Sequence, residues 1–141
     1  MKKSVILSIR GTQTYPEQEP EVIELVTEGK LTEVDGGWDL CYEESPLTGL
    51  EGVTTCFQIR GDTITLIRTG KLHSQMVFKE NVVHESLYRV EFGALMLSVC
   101  ASKVEYTLSE QGGVVNLVYS IDIEQSTAGQ IEYHLQIRPK E

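Results

Sequence analysis

One residue of this sequence has a type and position that suggest chemistry, and that residue is Arg68. It continues the alternate positions Ile64 and Leu66, which are expected to face the interior of a sheet. An inward arginine needs a partner. It either ends its strand at a rim and reaches water, or it meets a carboxylate such as Glu43 or an anionic ligand inside. Both interpretations stay open at this point.

Polar side chains interrupt the apolar pattern of the neighbouring segments, namely at Thr55, Ser74 and Gln75. Ligand sites in barrels combine apolar walls with a few polar groups. We therefore predict a ligand-binding set that holds a small hydrophobic or anionic molecule, made of Arg68, Glu43, Thr55, Ser74, Gln75, Met76 and Tyr88. No residue is predicted to be catalytic.

Histidine chemistry is the alternative source of activity. His73, His84 and His134 lack partners at metal-ligand spacing, and the sequence has no nucleophile elbow, phosphate loop or paired-histidine zinc motif. His134 could meet Asp122 or Glu124 across strands, but a solvated histidine beside a solvated acid is the interpretation we favour. We predict no metal and no cofactor, and an enzyme ranks third among the functions.

The three cysteines, Cys41, Cys56 and Cys100, are odd in number and include no C-x-x-C pair. This spacing predicts reduced thiols.

The segment that begins Met1-Lys2-Lys3 lacks the apolar core of a signal peptide, and no run approaches the roughly 20 apolar residues of a membrane span. We expect a cytoplasmic protein without a membrane partner.

The net charge of −9 is unevenly distributed. Residues 17–51 hold eleven acids and Lys30 as the single base, a net charge of −10, whereas residues 56–80 hold four bases and two acids, a net charge of +2. The acidic chain makes nucleic acid a poor partner, because it lacks the cationic surface that displaces counterions from a nucleic acid backbone. The basic segment is either an anion site or a set of solvated strand faces, and we favour the second interpretation. Its bases are Arg60, Arg68, Lys71 and Lys79.

Apolar residues recur at every second position along most of the chain, which is the pattern of half-buried strands. Turn residues separate the runs at 35–37, 60–62, 69–71, 111–113 and 127–129. The fold is predicted to be all-β, a single domain over residues 1–141 in which eight to ten antiparallel strands form an up-and-down meander barrel. Residues 81–96 are the least regular and leave room for a short helix or a bulge. Trp38 is expected to plug one barrel mouth.

The chain resembles the YwiB-like family of uncharacterised bacterial proteins. The resemblance spans Val5 to Ile137 and rests on spaced features: Tyr42-Glu43-Glu44, Thr48-Gly49, Thr54-Thr55, Arg68-Thr69-Gly70, Met76-Val77-Phe78, and Tyr88 with Phe92-Gly93. Where the family often has Thr-Pro, this chain has Val90-Glu91. The resemblance implies a calycin-type, lipocalin-like barrel and brings no activity or site residue with it.

Two functions follow as hypotheses. The first is a binding barrel, because about eight strands enclose room for packed side chains or for one small ligand. The second is a structural or regulatory module in which the acidic surface of residues 17–51 recruits a basic protein partner.

Overall fold

The protein is a barrel of ten antiparallel strands, and this confirms the predicted fold class. The computed structural model describes residues 2–46, 50–90, 93–123 and 126–140, apart from the side chains of residues 87, 88, 90 and 126–128. In that part of the chain there is no α-helix. The strands are β1 Lys2–Thr14, β2 Glu21–Val34, β3 Gly37–Glu43, β4 Val53–Arg60, β5 Thr63–Gly70, β6 Ser74–Lys79, β7 Val83–Val90, β8 Gly93–Ser109, β9 Gly112–Ile123 and β10 Ser126–Pro139.

Every strand pairs with its sequence neighbours except at one seam. The first and last strands, β1 and β10, pair over ten residue positions and close the meander. The open seam lies in the middle of the chain, between β6 and β7. There, the backbones of His73 and Arg89 exchange two hydrogen bonds, and Asn81 donates to the carbonyl of Ala101. The barrel is therefore nearly closed.

The two ends of the barrel differ. Short turns at 35–36, 61–62 and 110–111 lie at one end, which we call the turn end, and the longer connections 15–20, 44–52 and 71–73 lie at the other, the loop end. Glycines with positive φ lie in or directly after these turns, as at Gly36, Gly61 and Gly112. A residue with a Cβ atom would be strained in that backbone conformation. Trp38 packs against the core at the turn end, as predicted.

The inward side chains of alternate residues fill the turn half of the barrel. Leu7, Leu40, Ile59, Ile64 and Leu117 are fully buried. Each fully buried aliphatic side chain contributes roughly 1.5–3 kcal/mol relative to an exposed one. This half is solid core, and it holds the loop half in shape. No helix in the described residues is long and apolar enough to cross a bilayer.

Two local predictions were wrong. Residues 83–90 and 93–96 are strands rather than a helix. The segment 127–129 lies within β10, where the pairing with β9 shifts register between Thr127 and Gly129. That shift accounts for the turn-like composition, because a bulge uses the same small residues as a turn.

The cysteine prediction was also wrong. Cys41 and Cys56 lie directly opposite each other on β3 and β4, with Cα atoms 4.1 Å apart, and form a disulfide. Sequence spacing does not reveal such a pair, since the register of two strands decides which residues face each other. Cys100 is a free thiol.

Candidate ligand-binding chamber

A chamber of about 190 Å³ occupies the loop half of the barrel. Its walls come from strands all around the barrel and from Leu50 of the 44–52 connection. Aliphatic side chains provide most of the surface, and the polar contribution is small and localised. The polar groups are those of Gln13, Tyr42, Glu44, Arg68, Tyr119 and Tyr133.

Four residues form a row across the inner wall, one from each of the strands β3 to β6. Tyr42 lies opposite Thr55, Thr55 opposite Arg68, and Arg68 opposite Ser74. We call these four residues the polar row. Directly opposed residues in an antiparallel pair place their Cβ atoms about 4.5–5.5 Å apart on the same face of the sheet. The meander therefore brings together side chains that span 32 positions of sequence.

Arg68 has almost no protein partner for its charge. Its Nη2 donates a long hydrogen bond of 3.4 Å to the hydroxyl of Tyr133, across the barrel on β10. Its Nε is buried, and none of the described residues gives it a hydrogen-bond partner. None of the described carboxylates lies within salt-bridge distance of the guanidinium. The side chain as a whole is half-buried, so the guanidinium is a partly desolvated cation that lines the chamber.

The environment of Arg68 keeps it charged. Burial by itself lowers the pKa of an arginine, but the oxygens of Tyr133, Tyr119 and Tyr42 favour the cation and outweigh burial, so its pKa lies above the ordinary value. Burial raises the pKa of Tyr119 far above its usual range. Burial, and after it the charge of Glu44, raises the pKa of Tyr42 in the same direction. The chamber thus holds the Arg68 cation close to tyrosine hydroxyls and to the carboxyl group of Glu44.

Glu44 is the carboxylate of this chamber, and its polar neighbours within the barrel are hydroxyl groups. The hydroxyl of Thr55 donates to Glu44 at 2.5 Å, and the hydroxyl of Tyr42 also bonds to it. All three side chains are buried. Hydrogen bonds from hydroxyls to a carboxylate are charge-assisted and stabilise it where it is buried. Glu44 is therefore held by Thr55 and Tyr42 rather than by Arg68.

Aromatic rings form the opposite wall. The ring of Tyr119 stacks near that of Tyr133, with centroids 6.3 Å apart and an interplanar angle of 30°. Phe78 packs against Tyr119 from below at 4.4 Å. Gly11, on β1, lies opposite Tyr133, and a Cβ atom there would come within 3.2 Å of the tyrosine ring. The missing side chain lets the ring of Tyr133 lean across β1.

The structure separates the residues predicted as ligand-binding into two groups. Arg68 and Met76 line the chamber, and Thr55 and Ser74 flank Arg68 in the polar row. Glu43 and Gln75 point outward and are exposed, so they do not reach the chamber. The side chain of Tyr88 lies outside the described part of the structure. We predicted Glu43 as the inward carboxylate, but the residues that face inward along β3 and just after it are Leu40, Tyr42 and Glu44. The carboxylate inside the barrel is therefore Glu44.

The other charged candidates are on the outer surface. Arg60 pairs with Asp39 at 2.8 Å, and Lys79 lies 3.9 Å from Asp62. Lys71 is exposed. The preferred interpretation of solvated strand faces therefore applies to these three bases, and Arg68 is the exception.

His134 is exposed and bonds to Asn116 rather than to Asp122. Glu124 lies outside the described residues. No group of three metal-ligating side chains occurs in the part of the chain that the structure describes. The geometry adds no support for histidine chemistry.

Sequence reasoning missed Glu44, Tyr42, Tyr119 and Tyr133. Strand alternation puts Tyr119 and Tyr133 on the apolar face of β9 and β10, and their rings do pack in or against the core. The tyrosines could have indicated a polar site inside the barrel, because the hydroxyl of an inward tyrosine needs a polar neighbour.

Comparison with known proteins supports the architecture. The model of a family described as a domain of unknown function, DUF1934, matches residues 7–137. The crystal structure of the ywiB protein from Bacillus subtilis is similar with a TM-score of 0.81 and 19% sequence identity, over 96% of this chain and 92% of that one. A search of curated proteins found no match. At this identity the likeness establishes the fold.

Proposed function

The chain belongs to the DUF1934 family, whose function is unknown, and we propose from the geometry of its chamber that it binds a small anionic molecule there. The observation that carries the proposal is Arg68, a cation that lines the chamber with a buried, unbonded Nε and no carboxylate within salt-bridge distance among the described residues.

The energetics of burial favour this proposal over a purely structural arginine. Removing a charged group from water costs several kcal/mol even after relaxation, unless hydrogen bonds and an opposite charge compensate. Here one bond of 3.4 Å to Tyr133 is what the described residues supply to the head group. Buried polar groups without partners are rare in folded proteins. An anion beside Arg68 would supply both the missing charge and the missing acceptor.

The chamber also has the general form of a ligand site. Its wall is mainly apolar, with Tyr42 and Arg68 of the polar row on one side and the hydroxyls of Tyr119 and Tyr133 on the other. Small-molecule sites use apolar walls for affinity and a few placed polar groups for orientation. Arg68 lies close to the loop end, two residues before the end of β5, where the longer connections leave access from solvent.

Thermal-shift titration tests the proposal. Wild type, Arg68→Met and Arg138→Met are titrated with small organic anions and with neutral molecules of the same shape. Arg138 is an exposed arginine of β10, so its substitution controls for net charge. We expect anions to raise the melting temperature of wild type and of Arg138→Met but not of Arg68→Met. Equal responses in all three proteins would refute the chamber as the anion site.

A second function rests on the acidic outer surface of β2. Val22 and Val26 are 45% and 67% exposed there and alternate with exposed Glu24 and Glu28. Apolar groups framed by acids suit a protein partner with basic and apolar side chains. Capture of such a partner should weaken at high salt and with Glu24→Lys, and should also weaken with Val26→Ser. Capture that is insensitive to both substitutions would eliminate this surface.

A further inference from the structure

We infer that the ligand is a small monocarboxylate with an apolar body about the size of one benzene ring, held by the Nε–Nη2 edge of Arg68. This inference rests on the proposed function and specifies the chemistry of the same chamber. It depends on the edge of the guanidinium and the hydroxyl of Ser74, for which the described residues supply few or no acceptors, on the carboxyl group of Glu44 and on the volume of the chamber.

The guanidinium presents the edge that fits a carboxylate. Nε and one Nη carry parallel N–H bonds, and these two donors match the two oxygens of a carboxylate in a planar, bidentate pair. Among the described residues Nε has no partner, and Nη2 makes one bond, of 3.4 Å, to Tyr133. That bond is at the long limit for a hydrogen bond, so a ligand oxygen can replace it at small cost.

Ser74 is a further donor beside Arg68, in the polar row rather than among the residues that line the chamber. It faces Arg68 across β5 and β6, and its Oγ is buried and without a hydrogen-bond partner among the described residues. A hydroxyl can rotate to donate to whichever acceptor is nearest. Arg68 Nε and Ser74 Oγ thus both lack a hydrogen-bond acceptor among the described residues. One carboxylate on the Arg68 edge would satisfy both.

Glu44 limits the charge of the ligand. Its carboxylate lines the same chamber and is already bonded by Thr55 and Tyr42. One cation and one anion then face any guest, and in a chamber of low dielectric a second negative charge on the guest is strongly repelled by Glu44. A dianion such as a phosphate monoester or a dicarboxylate is therefore disfavoured relative to a monocarboxylate.

The volume sets the size of the apolar body. An apolar cavity of about 150 Å³ accepts benzene, and drug-sized ligands occupy about 300–1,000 Å³. At about 190 Å³ the chamber admits a ring or a short branched chain together with a carboxylate. A haem or a long-chain fatty acid would not be enclosed. The stacked Tyr119 and Tyr133 offer a flat wall that favours a ring.

Isothermal titration calorimetry with matched probes tests the inference. Benzoate is compared with benzamide, which has the same shape without the charge, with phthalate and phenyl phosphate, which carry additional charge, and with laurate, which is too long. We expect benzoate to bind at least about 10-fold more tightly than each of the others, since a charge-assisted bidentate contact is worth that factor or more.

Two substitutions separate the binding mode from simple attraction of charge. Arg68→Lys keeps the cation but loses the planar edge, and should weaken benzoate about 10-fold or more. Ser74→Ala should weaken benzoate by about 3- to 10-fold, the loss of one hydrogen bond. Arg138→Lys is the matched control and should leave binding unchanged. Circular dichroism confirms that each variant is folded.

The outcomes distinguish this inference from the proposed function. If phenyl phosphate or phthalate binds more tightly than benzoate and depends on Arg68, anion binding stands and the monocarboxylate is wrong. If Arg68→Lys binds benzoate as well as wild type does, the bidentate edge is wrong. If neither benzoate nor any other anion binds the folded protein, both the inference and the proposed function fail.

Discussion

Arg68 and Ser74 face each other across β5 and β6, and each ends in a buried polar atom that has no hydrogen-bond partner among the described residues. In an optimised core, such a pair would bond to each other or be replaced by apolar side chains. Residues that a binding site positions for a ligand are instead left incomplete in the free protein, and the fold tolerates the cost. The stability of substitutions at Arg68 is therefore informative.

Arg68→Met should leave the free energy of unfolding unchanged or raise it by about 1–4 kcal/mol, because an apolar side chain of similar length removes a poorly compensated buried charge. Urea denaturation of the free protein measures this, with Arg138→Met as the exposed control. A loss of more than about 2 kcal/mol would instead identify Arg68 as a structural residue whose bond to Tyr133 holds the barrel together.

The inward position of Arg68 could be predicted from sequence, because strand alternation continues along β5 from Ile64 through Leu66. The prediction of its surroundings failed at Glu43 and Gln75, because the inward phase of β3 and of β6 depends on how each strand pairs with its neighbour. Sequence alternation places a residue on one of two faces. It does not say which residues of neighbouring strands lie directly opposite each other. The polar row consists of residues paired in this way, so sequence alternation could not predict it.

The disulfide could not be predicted from sequence for the same reason, because strand register decides which cysteines face each other. Its contribution to stability can be measured. It joins cysteines 15 positions apart, and closing a loop of this size in the unfolded chain contributes about 3 kcal/mol. Reduction by a dithiol, or Cys56→Ser, should therefore lower the free energy of unfolding by about 3 kcal/mol. Cys100→Ser, at the free thiol, should change it little. An unchanged denaturation midpoint after complete reduction, verified by thiol titration, would contradict this prediction.

The disulfide also matters for the chamber, because it lies beside the Tyr42–Thr55 pair. Cys41 and Cys56 point outward at positions adjacent to Tyr42 and Thr55, which face each other inside. The bridge thus fixes the spacing of the two strands that hold Glu44.

Alkaline pH should destabilise the protein through Tyr119. Its pKa is raised in the folded state, so the neutral phenol is favoured there and its stabilising effect is complete below the unfolded pKa of 10.0. As the pH rises above that value, the unfolded chain loses the proton and stability falls by about 1.4 kcal/mol per pH unit for one such group.

Tyr119→Phe removes this ionisation. The variant should lose less stability than wild type between pH 9 and 11, because about one group fewer titrates on unfolding. Denaturant unfolding at each pH gives the slope, and Tyr106→Phe, at the turn end and only partly buried, is the control. If the slopes of wild type and Tyr119→Phe agree, burial of Tyr119 does not govern the alkaline transition.

The seam between β6 and β7 should be the first part of the sheet to open. His73 directs its backbone groups to β7, so by strand alternation Gln75 and Val77 direct theirs the same way. Among the described residues, neither of these two amides has a hydrogen-bond partner on the β7 side. The amides of Met76 and Phe78 point to β5, which pairs with β6. We expect Gln75 and Val77 to exchange their hydrogens at least about 10-fold faster than Met76 and Phe78.

Hydrogen exchange followed by NMR resolves these neighbours, and the amides of the β1–β10 ladder provide the slow reference. Equal protection of all four residues would mean that β6 and β7 are paired in solution and that the barrel is fully closed.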